Sequence, residues 1–187
     1  MKPMPPESVS RNTLTFSLQT PADLYRKLHF EALTLYNNPP ADLTQRAYAI
    51  MNAVTSAWQL KDWVFHALEE AGKLDLLDTL AARKIKGRKD FGDFLAKNSP
   101  WLNICFQLAT AAKHFGITET FGLPQVVTSI EQDAHPGHEL VDMAGTQEIM
   151  VRTRNNSISG TDLVLLLDYI WDDVLVRLGL LEKDAAR

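Results

Sequence analysis

Apolar residues recur at helical spacing along most of the chain, and this pattern predicts a mainly α fold. The predicted helices span about residues 21–36, 41–71, 73–82, 99–115 and 160–182, with a short helical turn at 91–96. In the longest helix, one apolar stripe must face a core. Its members are Leu43, Ala47, Ile50, Val54, Ala57, Val64 and Leu68. We therefore expect a bundle of about five helices.

Turn and cap residues separate the predicted helices. Pro21 opens the first helix, and Pro39 ends it because a proline disfavours helical geometry in the residue before it. Gly72 is placed to terminate the second helix. Ser99 and Pro100 suit the N-cap and the first helical position, so another helix begins there.

Short β-branched runs replace the helical pattern before the last helix. Residues 124–130 and 148–154 alternate partly between polar and apolar, which predicts two antiparallel strands joined by the polar loop at 133–145. The last helix carries a wide apolar face that other helices must cover. We therefore expect a two-stranded hairpin near residues 124–154, inserted before the C-terminal helix.

The beginning of the chain differs from the remainder. Residues 1–20 are proline-rich and polar and predict a loose arm, within which residues 13–18 alternate as a short edge strand would. This start has no continuous apolar region, so it is not a secretory signal. Residues 21–187 are long enough to form one domain with its own core.

Composition is that of a soluble globular protein. Hydrophobic residues make up 45% of the chain and charged residues 22%, with a net charge of −4 that argues against coating nucleic acid or anionic membranes. No stretch approaches the roughly 20 apolar residues that span a bilayer. The single cysteine, Cys105, excludes an internal disulfide and lies among apolar residues, which favours a buried inert thiol. We therefore expect a cytoplasmic protein.

The first candidate site is a ridge on the longest helix. Trp58, Asp62 and His66 are four residues apart and therefore share one side of the helix, beside the apolar stripe. Asp62 could orient His66 for acid–base chemistry or substrate binding. Alternatively, the ridge packs against another helix and Asp62 accepts a local hydrogen bond. Lys61 falls inside the stripe, where its charge must reach water or a carboxylate.

Tryptophans suggest a surface for association. Trp63 points about 140° away from Trp58 by helical geometry, so the two indoles cannot share one contact. Together with Trp171 they offer more large apolar surface than one bundle core obviously needs. We therefore expect a homodimer, and a further protein partner is compatible with the same surface.

The second candidate site is the Lys113–His114 pair at the predicted end of a helix. Cations at this position are favoured by the helix dipole alone, so a structural role is sufficient to explain them. A catalytic role for His114 is the alternative. We predict that Asp62 is partly buried and bonded to a group on this helix, which would tie the two clusters together.

Two further clusters invite a binding role. Five basic residues fall within positions 83–89, where they could contact phosphates or form a solvated connection. They are Arg83, Lys84, Lys86, Arg88 and Lys89. His135 and His138 are flanked by carboxylates and form a weak candidate metal site in a loop. Glycine-rich phosphate loops and zinc-protease motifs are absent from the sequence, so we expect no cofactor.

Two motifs resemble those of a group of uncharacterised bacterial proteins. The first runs from Ala57 to Trp63 and corresponds to Ala-Trp-His-Leu-x-Asp-Trp in that group. The second runs from Cys105 to His114 and corresponds to Cys-Arg-Asp-x-Ala-Asn-x-x-Lys-His. The group is similar to the HEPN superfamily of helical bundles. The resemblance implies a metal-independent ribonuclease, often a toxin or defence effector, in which an arginine and a histidine assemble across a dimer.

This chain departs from the family pattern at four positions. Gln59 replaces a histidine, Phe106 an arginine, Gln107 an aspartate and Thr110 an asparagine. A histidine without its cationic partner cannot stabilise phosphorane charge in the usual way. The sequence therefore favours a non-enzymatic protein that binds itself or another protein in a bacterial defence or regulatory context. The alternative is a ribonuclease-like effector, acting on RNA, that uses His114 with Arg83 or Arg88.

Overall fold

The computed structural model of the protein describes residues 18–114, 125–132 and 147–182, and this part of the chain contains six helices and three strands. The helices are α1 (Pro21–Asn37), α2 (Leu43–Glu70), α3 (Asp75–Ala81), α4 (Arg88–Asn98), α5 (Pro100–His114) and α6 (Gly160–Arg177). The strands are β1 (Val127–Gln132), β2 (Gln147–Arg152) and β3 (Ser157–Ser159). The predicted mainly α fold, with a small antiparallel β element before the last helix, is confirmed.

Several predicted helix ends are confirmed by their caps. Thr20 and Asp23 form a reciprocal capping box at the start of α1, with Pro21 at its first position. Gly72 has a φ of 66°, and the N–H of Lys73 returns to the carbonyl of Leu68 at 2.8 Å. This left-handed closure ends α2 where the sequence indicated.

Other helix boundaries differ from the prediction. Residues 91–96 are the middle of an 11-residue helix, α4, that already begins at Arg88. Asp90 holds the start of that helix by accepting a hydrogen bond from the Lys86 N–H at 2.8 Å. The last helix ends at Arg177 rather than at 182, because Gly179, with a φ of 66°, turns the chain.

The core forms around α2. Helices α1, α4, α5 and α6 and strand β2 all contact it, and five of the seven predicted stripe residues are buried. Leu43 and Ala47, at the beginning of α2, are half-buried. Trp171 on α6 is fully buried, so it fills the core of its own chain and supplies no surface for a dimer, contrary to the prediction.

The β element is a three-stranded antiparallel sheet in the order β1-β2-β3, whereas the sequence predicted two strands. The third strand is missed because β3 has only three residues and leads directly into α6. A tight turn joins β2 to β3, in which the Thr153 N–H donates to the Asn156 carbonyl at 2.8 Å. Ile149 and Val151 on β2 are buried and attach the sheet to the helices.

Some predicted segments lie outside the described residues and cannot be compared with the structure, whereas others can. Residues 1–17, which hold most of the predicted arm and edge strand, and the loop at 133–145 lie outside the described residues. Within the described ranges, no helix combines the length and the apolar character needed to cross a bilayer.

Cys105 is completely buried, and its thiol donates to the Val54 carbonyl across 3.3 Å. Burial raises the pKa of this thiol, as expected for an inert cysteine.

The close approach at Gly160 gives a test of this packing. A Cβ atom there would lie 2.5 Å from Cδ1 of Ile50 and 3.4 Å from the backbone oxygen of Ile149. We expect Gly160→Ala to lower the free energy of unfolding by about 1–3 kcal/mol through overpacking, measured by urea denaturation.

Gly87→Ala is the matched control, because nothing lies within 4 Å of a Cβ atom at Gly87. Its free energy of unfolding should change by no more than about 0.5 kcal/mol. Adding Ile50→Val to Gly160→Ala removes the clashing methyl group and should restore part of the loss. A Gly160→Ala protein as stable as the parent would show that the helix start relaxes freely.

Candidate functional site

A groove between α2 and α5 includes Trp58 and Asp62 of the predicted ridge. Trp58 on α2 and Phe106 on α5 are both half-buried, with ring centroids 5.2 Å apart and ring planes inclined at 56°. They face each other because Trp58 lies beside the apolar stripe of α2 and Phe106 beside the buried face of α5. This tilted aromatic contact packs α2 against α5 and forms one wall of the groove.

A buried cation adjoins the aromatic wall. The side chain of Lys61 is only 14% exposed, and its Nζ lies 2.7 Å from the Asp62 carboxylate and 5.1 Å from the Trp58 ring centroid. Arg88 at the start of α4 approaches the same carboxylate at 3.8 Å. Asp62 therefore provides the carboxylate that a charge within the α2 stripe requires.

Gly92 on α4 makes room for this arrangement. A Cβ atom there would lie 3.1 Å from Cδ of Lys61 and 3.8 Å from Cζ2 of Trp58. The first distance is shorter than ordinary van der Waals contact, so a side chain at this position would press on the lysine stem. The absence of a side chain at Gly92 thus fixes the path by which Lys61 reaches Asp62.

The groove has a volume of about 650 Å³. Its described lining residues are Thr55, Trp58, Gln59, Lys61, Asp62, Phe106, Ala109, Thr110 and Ala112. Three of the four departures from the family motifs, Gln59, Phe106 and Thr110, are in this set. The groove thus offers an aromatic wall, one ion pair, an amide and hydroxyl groups. These groups can bind a ligand, but they include no activated nucleophile.

The fourth departure, Gln107, has a different role. Its side chain is completely buried, and its Nε2 donates to Oδ1 of Asn103 at 2.6 Å. Its Oε1 accepts the backbone N–H of Val126 at 2.9 Å. Gln107 therefore ties α5 to the segment that leads into β1, a long-range bond that no local pattern in the sequence predicts.

The predicted partnership of Asp62 is only partly correct. Asp62 is partly buried, as expected, with its side chain 39% exposed. Its partners are Lys61 and Arg88, so a bond from Asp62 to α5 is absent among the described side chains. The side chains of Lys113 and His114, which also belong to α5, are not among the described side chains.

His66 lies apart from the groove. Its Nε2 is 3.5 Å from Glu70 and its Nδ1 is 3.8 Å from Glu69, with more than half of its side chain exposed. These two carboxylates, rather than Asp62, are the ionic neighbours that the structure records for it. Trp58 and Asp62 line the groove, whereas His66 lines a separate recess with Glu69.

The remaining candidate residues are Trp63 and the possible metal ligands His135 and His138. Trp63 is half-buried and packs against the core, as Trp58 does, and the prediction that the two indoles make different contacts stays a prediction. His135 and His138 lie outside the described residues. Among the described residues, no three His, Cys, Asp or Glu side chains cluster as metal ligands would.

The basic segment at 83–89 is largely engaged with carboxylates of its own chain. Arg83 holds Asp90 through two hydrogen bonds of 2.8 and 2.9 Å. Lys84 contacts Asp78 at 2.9 Å, and Lys89 contacts Asp93 at 3.1 Å. The segment thus organises the connection from α3 to α4. The prediction that it binds phosphate stays a prediction, now with these ion pairs as competitors.

Two polar contacts between α1 and α6, which we term the polar seam, were not predicted from the sequence. Nδ1 of His29 lies 3.0 Å from the buried carboxylate of Asp168, and the Tyr25 hydroxyl donates to Asp172 at 3.0 Å. The signal was present in the sequence, because Tyr25 and His29 are four residues apart and so are the two aspartates. His29 and Asp168 are separated by 139 residues in the sequence, however, and only folding brings them together.

Beside this seam, four large side chains are exposed and form what we term the aromatic strip. On α1 they are Phe30 at 70%, Leu33 at 42% and Tyr36 at 63% exposure, and on α6 Tyr169 at 71%. The three α1 residues are three positions apart and therefore form one ridge. Tyr169 directly follows Asp168, whose carboxylate meets His29, so the α6 member lies next to the same seam.

Comparison of the chain with protein-family models, with curated proteins and with solved structures finds no significant match. The resemblance to the HEPN superfamily therefore rests on the sequence motifs alone. The groove, the polar seam and the aromatic strip are therefore the features that bear on the function of this protein.

Replacing Asp62 tests whether its carboxylate stabilises the fold by accepting a hydrogen bond from Lys61. Asp62→Ala removes the carboxylate from the Lys61 ammonium and should lower stability by about 1 kcal/mol, near the lower end for a lost acceptor because Asp62 is partly solvated. Asp62→Asn keeps an oxygen that accepts and should lie between Asp62→Ala and the parent in thermal unfolding.

Asp93→Ala provides the comparison, since Asp93 pairs with Lys89, whose side chain is 77% exposed. Loss of that surface pair should change stability by no more than about 0.5 kcal/mol. Identical melting temperatures for both Asp62 variants and the parent would show that Lys61 needs no carboxylate.

Acid should weaken the α3–α4 connection through Asp90. The Arg83 guanidinium and the Lys86 N–H hold the pKa of this carboxyl well below its ordinary value of 3.8. A carboxyl whose pKa is lower in the folded than in the unfolded protein stabilises the fold above about pH 4, and this contribution is lost as the pH falls further. Asp90→Asn should therefore flatten the decline of the free energy of unfolding between about pH 5 and pH 2.

Arg83→Met should reduce the same acid dependence, because it removes the principal donor to Asp90 while leaving the carboxyl in place. Urea denaturation at a series of pH values measures both variants. Superimposable pH profiles for the parent and Asp90→Asn would contradict this assignment.

Proposed function

We propose that this protein acts by binding rather than by catalysis, and that it self-associates as a homodimer in a bacterial defence or regulatory context. The observation that carries the proposal is the aromatic strip, with four large exposed side chains on two adjacent helices. Exposed apolar surface that is concentrated in this way is typical of an interaction site. The surface differs from the tryptophans that the sequence singled out.

A second copy of the chain suits the strip because the strip is self-complementary. Tyr25 meets Asp172 and His29 meets Asp168, so residue numbers rise along α1 as they fall along α6, and the two helices are antiparallel. A two-fold axis parallel to the seam lays α1 of one copy over α6 of its partner. Both copies then bury the same residues, as an isologous interface requires.

Charges at the edges of the strip support this packing. Arg26 is exposed on α1 at the level of Asp172 and pairs with Asp23. Asp173 is exposed on α6 one residue further along and pairs with Arg177, so an intermolecular pair would compete with these contacts. The proposed axis places Arg26 of each copy near Asp173 of the other. Opposite charges at the rim would favour this register over a shifted one.

The groove and the basic segment give less support to a ribonuclease. The alternative requires His114 together with Arg83 or Arg88. Arg83 is held by two bonds to Asp90, and Arg88 lies 3.8 Å from Asp62. RNA cleavage by the purified protein that is lost in His114→Ala would favour the ribonuclease over our proposal. We propose a cytoplasmic location, which suits a single buried thiol.

The dimer can be tested by light scattering coupled to size-exclusion chromatography. At micromolar concentration the parent should have twice its chain mass of 21.0 kDa. Phe30→Ser combined with Tyr169→Ser should shift the mass toward one chain, because these two residues are the most exposed members of the strip. A parent protein that stays monomeric would refute the proposal.

Tyr48→Ser is the matched control, since Tyr48 is 66% exposed on α2, outside the strip. It should leave the dimer intact. Charge exchange tests the register: Arg26→Glu should weaken association, and adding Asp173→Arg should restore it. Dissociation by Tyr48→Ser, or failure of the exchange to restore association, would argue for a different interface.

A further inference from the structure

Beyond self-association, we propose that the α2–α5 groove binds a planar aromatic molecule that carries an anionic group, either a carboxylate or a phosphate. Its volume of about 650 Å³ is within the range of small-molecule sites, roughly 300–1,000 Å³. The aromatic part of the ligand would contact the Trp58–Phe106 wall, and the anion would bind Lys61, with Arg88 as a second cation beside Asp62, outside the described lining.

The aromatic wall has ring surface to offer. Trp58 and Phe106 are half-buried, so each contacts the protein on one side and retains surface toward the groove. Their ring centroids are 5.2 Å apart, so the two rings contact each other, and a ligand would meet the groove-facing surface of the pair. A flat ligand can stack on the exposed part of one ring or meet it edge-on, which are the favoured aromatic geometries.

Charge selects an anion over a cation or a neutral molecule. Lys61 and Asp62 are the charged residues of the described lining, and Arg88, which lies outside that lining, adds a second positive charge 3.8 Å from the Asp62 carboxylate. This leaves one positive charge beside the aromatic wall. Because Lys61 is 14% exposed, its attraction for an anion is screened less than that of a surface lysine.

The donors of Lys61 are suitably placed. An ammonium has three N–H donors, and within the described part of the chain one of them is used by Asp62. Its Nζ lies over the Trp58 ring, 5.1 Å from the ring centroid, so an anion attached to a ring beside Trp58 would be within reach. Asp62 would then act as a positioning residue that holds Lys61 and Arg88 side by side.

Gly92 sets the position of the lysine stem and provides a variant that alters geometry without altering charge. A Cβ atom at Gly92 would lie 3.1 Å from Cδ and 3.3 Å from Cε of Lys61, so alanine would displace the ammonium. Since Gly92 is within a helix, alanine should not reduce helix stability by itself. Weaker binding by Gly92→Ala would therefore reflect the displaced Lys61.

Isothermal titration calorimetry with two anionic probes and their neutral counterparts tests the proposal. Adenosine monophosphate is compared with adenosine, and indole-3-acetate with indole. We expect at least one anionic probe to bind roughly tenfold or more tightly than its neutral counterpart, the difference expected from charge-assisted hydrogen bonds. Which anionic probe binds identifies the source of the anion.

Three variants locate the site. Trp58→Ala, Lys61→Met and Gly92→Ala should each weaken binding, with Lys61→Met causing a loss of about tenfold or more. Methionine continues the apolar stripe of α2, so this variant should remain folded, which circular dichroism verifies. Lys27→Met is the matched control, because Lys27 is also a half-buried, ion-paired lysine but pairs with Glu31 on α1.

The outcomes are separable from those of the dimer test. Absence of binding by both anionic probes, or equal affinity of the parent and the three variants, would overturn the groove proposal. Equal affinity of the parent and the Phe30→Ser, Tyr169→Ser protein would show that the groove works independently of the strip. A monomeric parent that still binds a probe would refute the dimer alone.

Discussion

The fold depends on covering the apolar stripe of α2. This helix has 28 residues and is too long for one neighbour to cover, so α1, α4, α5, α6 and β2 all pack against it. Burial of that stripe provides the main driving force for bringing distant segments together. The positions of the seam and the groove follow, because each lies beside a helix that packs on α2.

Lys61 is the exception within the stripe. Leaving an ammonium unpaired among buried residues would be costly, and the chain offsets that cost with Asp62, Arg88 and the space at Gly92. Replacing a buried ion pair by apolar residues is often neutral or stabilising. The arrangement is consistent with the binding role that we propose for the groove.

The strip and the groove lie on different helix pairs and differ in chemistry. The strip exposes large apolar and aromatic side chains beside the α1–α6 seam, where His29 meets Asp168. The groove lies between α2 and α5 and combines aromatic rings with a mostly buried cation. A flat exposed surface suits a macromolecular partner, whereas a recess with a few polar groups suits a small molecule.

Sequence alone determined the helices, because their apolar periodicity and caps are local properties. The stripe of α2, the capping residues around α1 and the glycine after α2 all indicated elements that the structure contains. Local patterns also placed Trp58 and Trp63 on different sides of α2. The three-residue strand β3 escaped detection, since so few residues establish no period, and the prediction carried α6 past Gly179, where the chain turns.

Only the tertiary structure decided which polar groups meet. Asp62 had several candidate partners in sequence, and the approach of α4 selected Arg88 as the partner beside Lys61. His29 and Asp168 gave no joint signal, because a contact across 139 residues depends on how α1 and α6 dock. The exposure of the aromatic strip was equally hidden. Periodicity identifies a helix face, but the packing of neighbouring helices determines whether that face is buried.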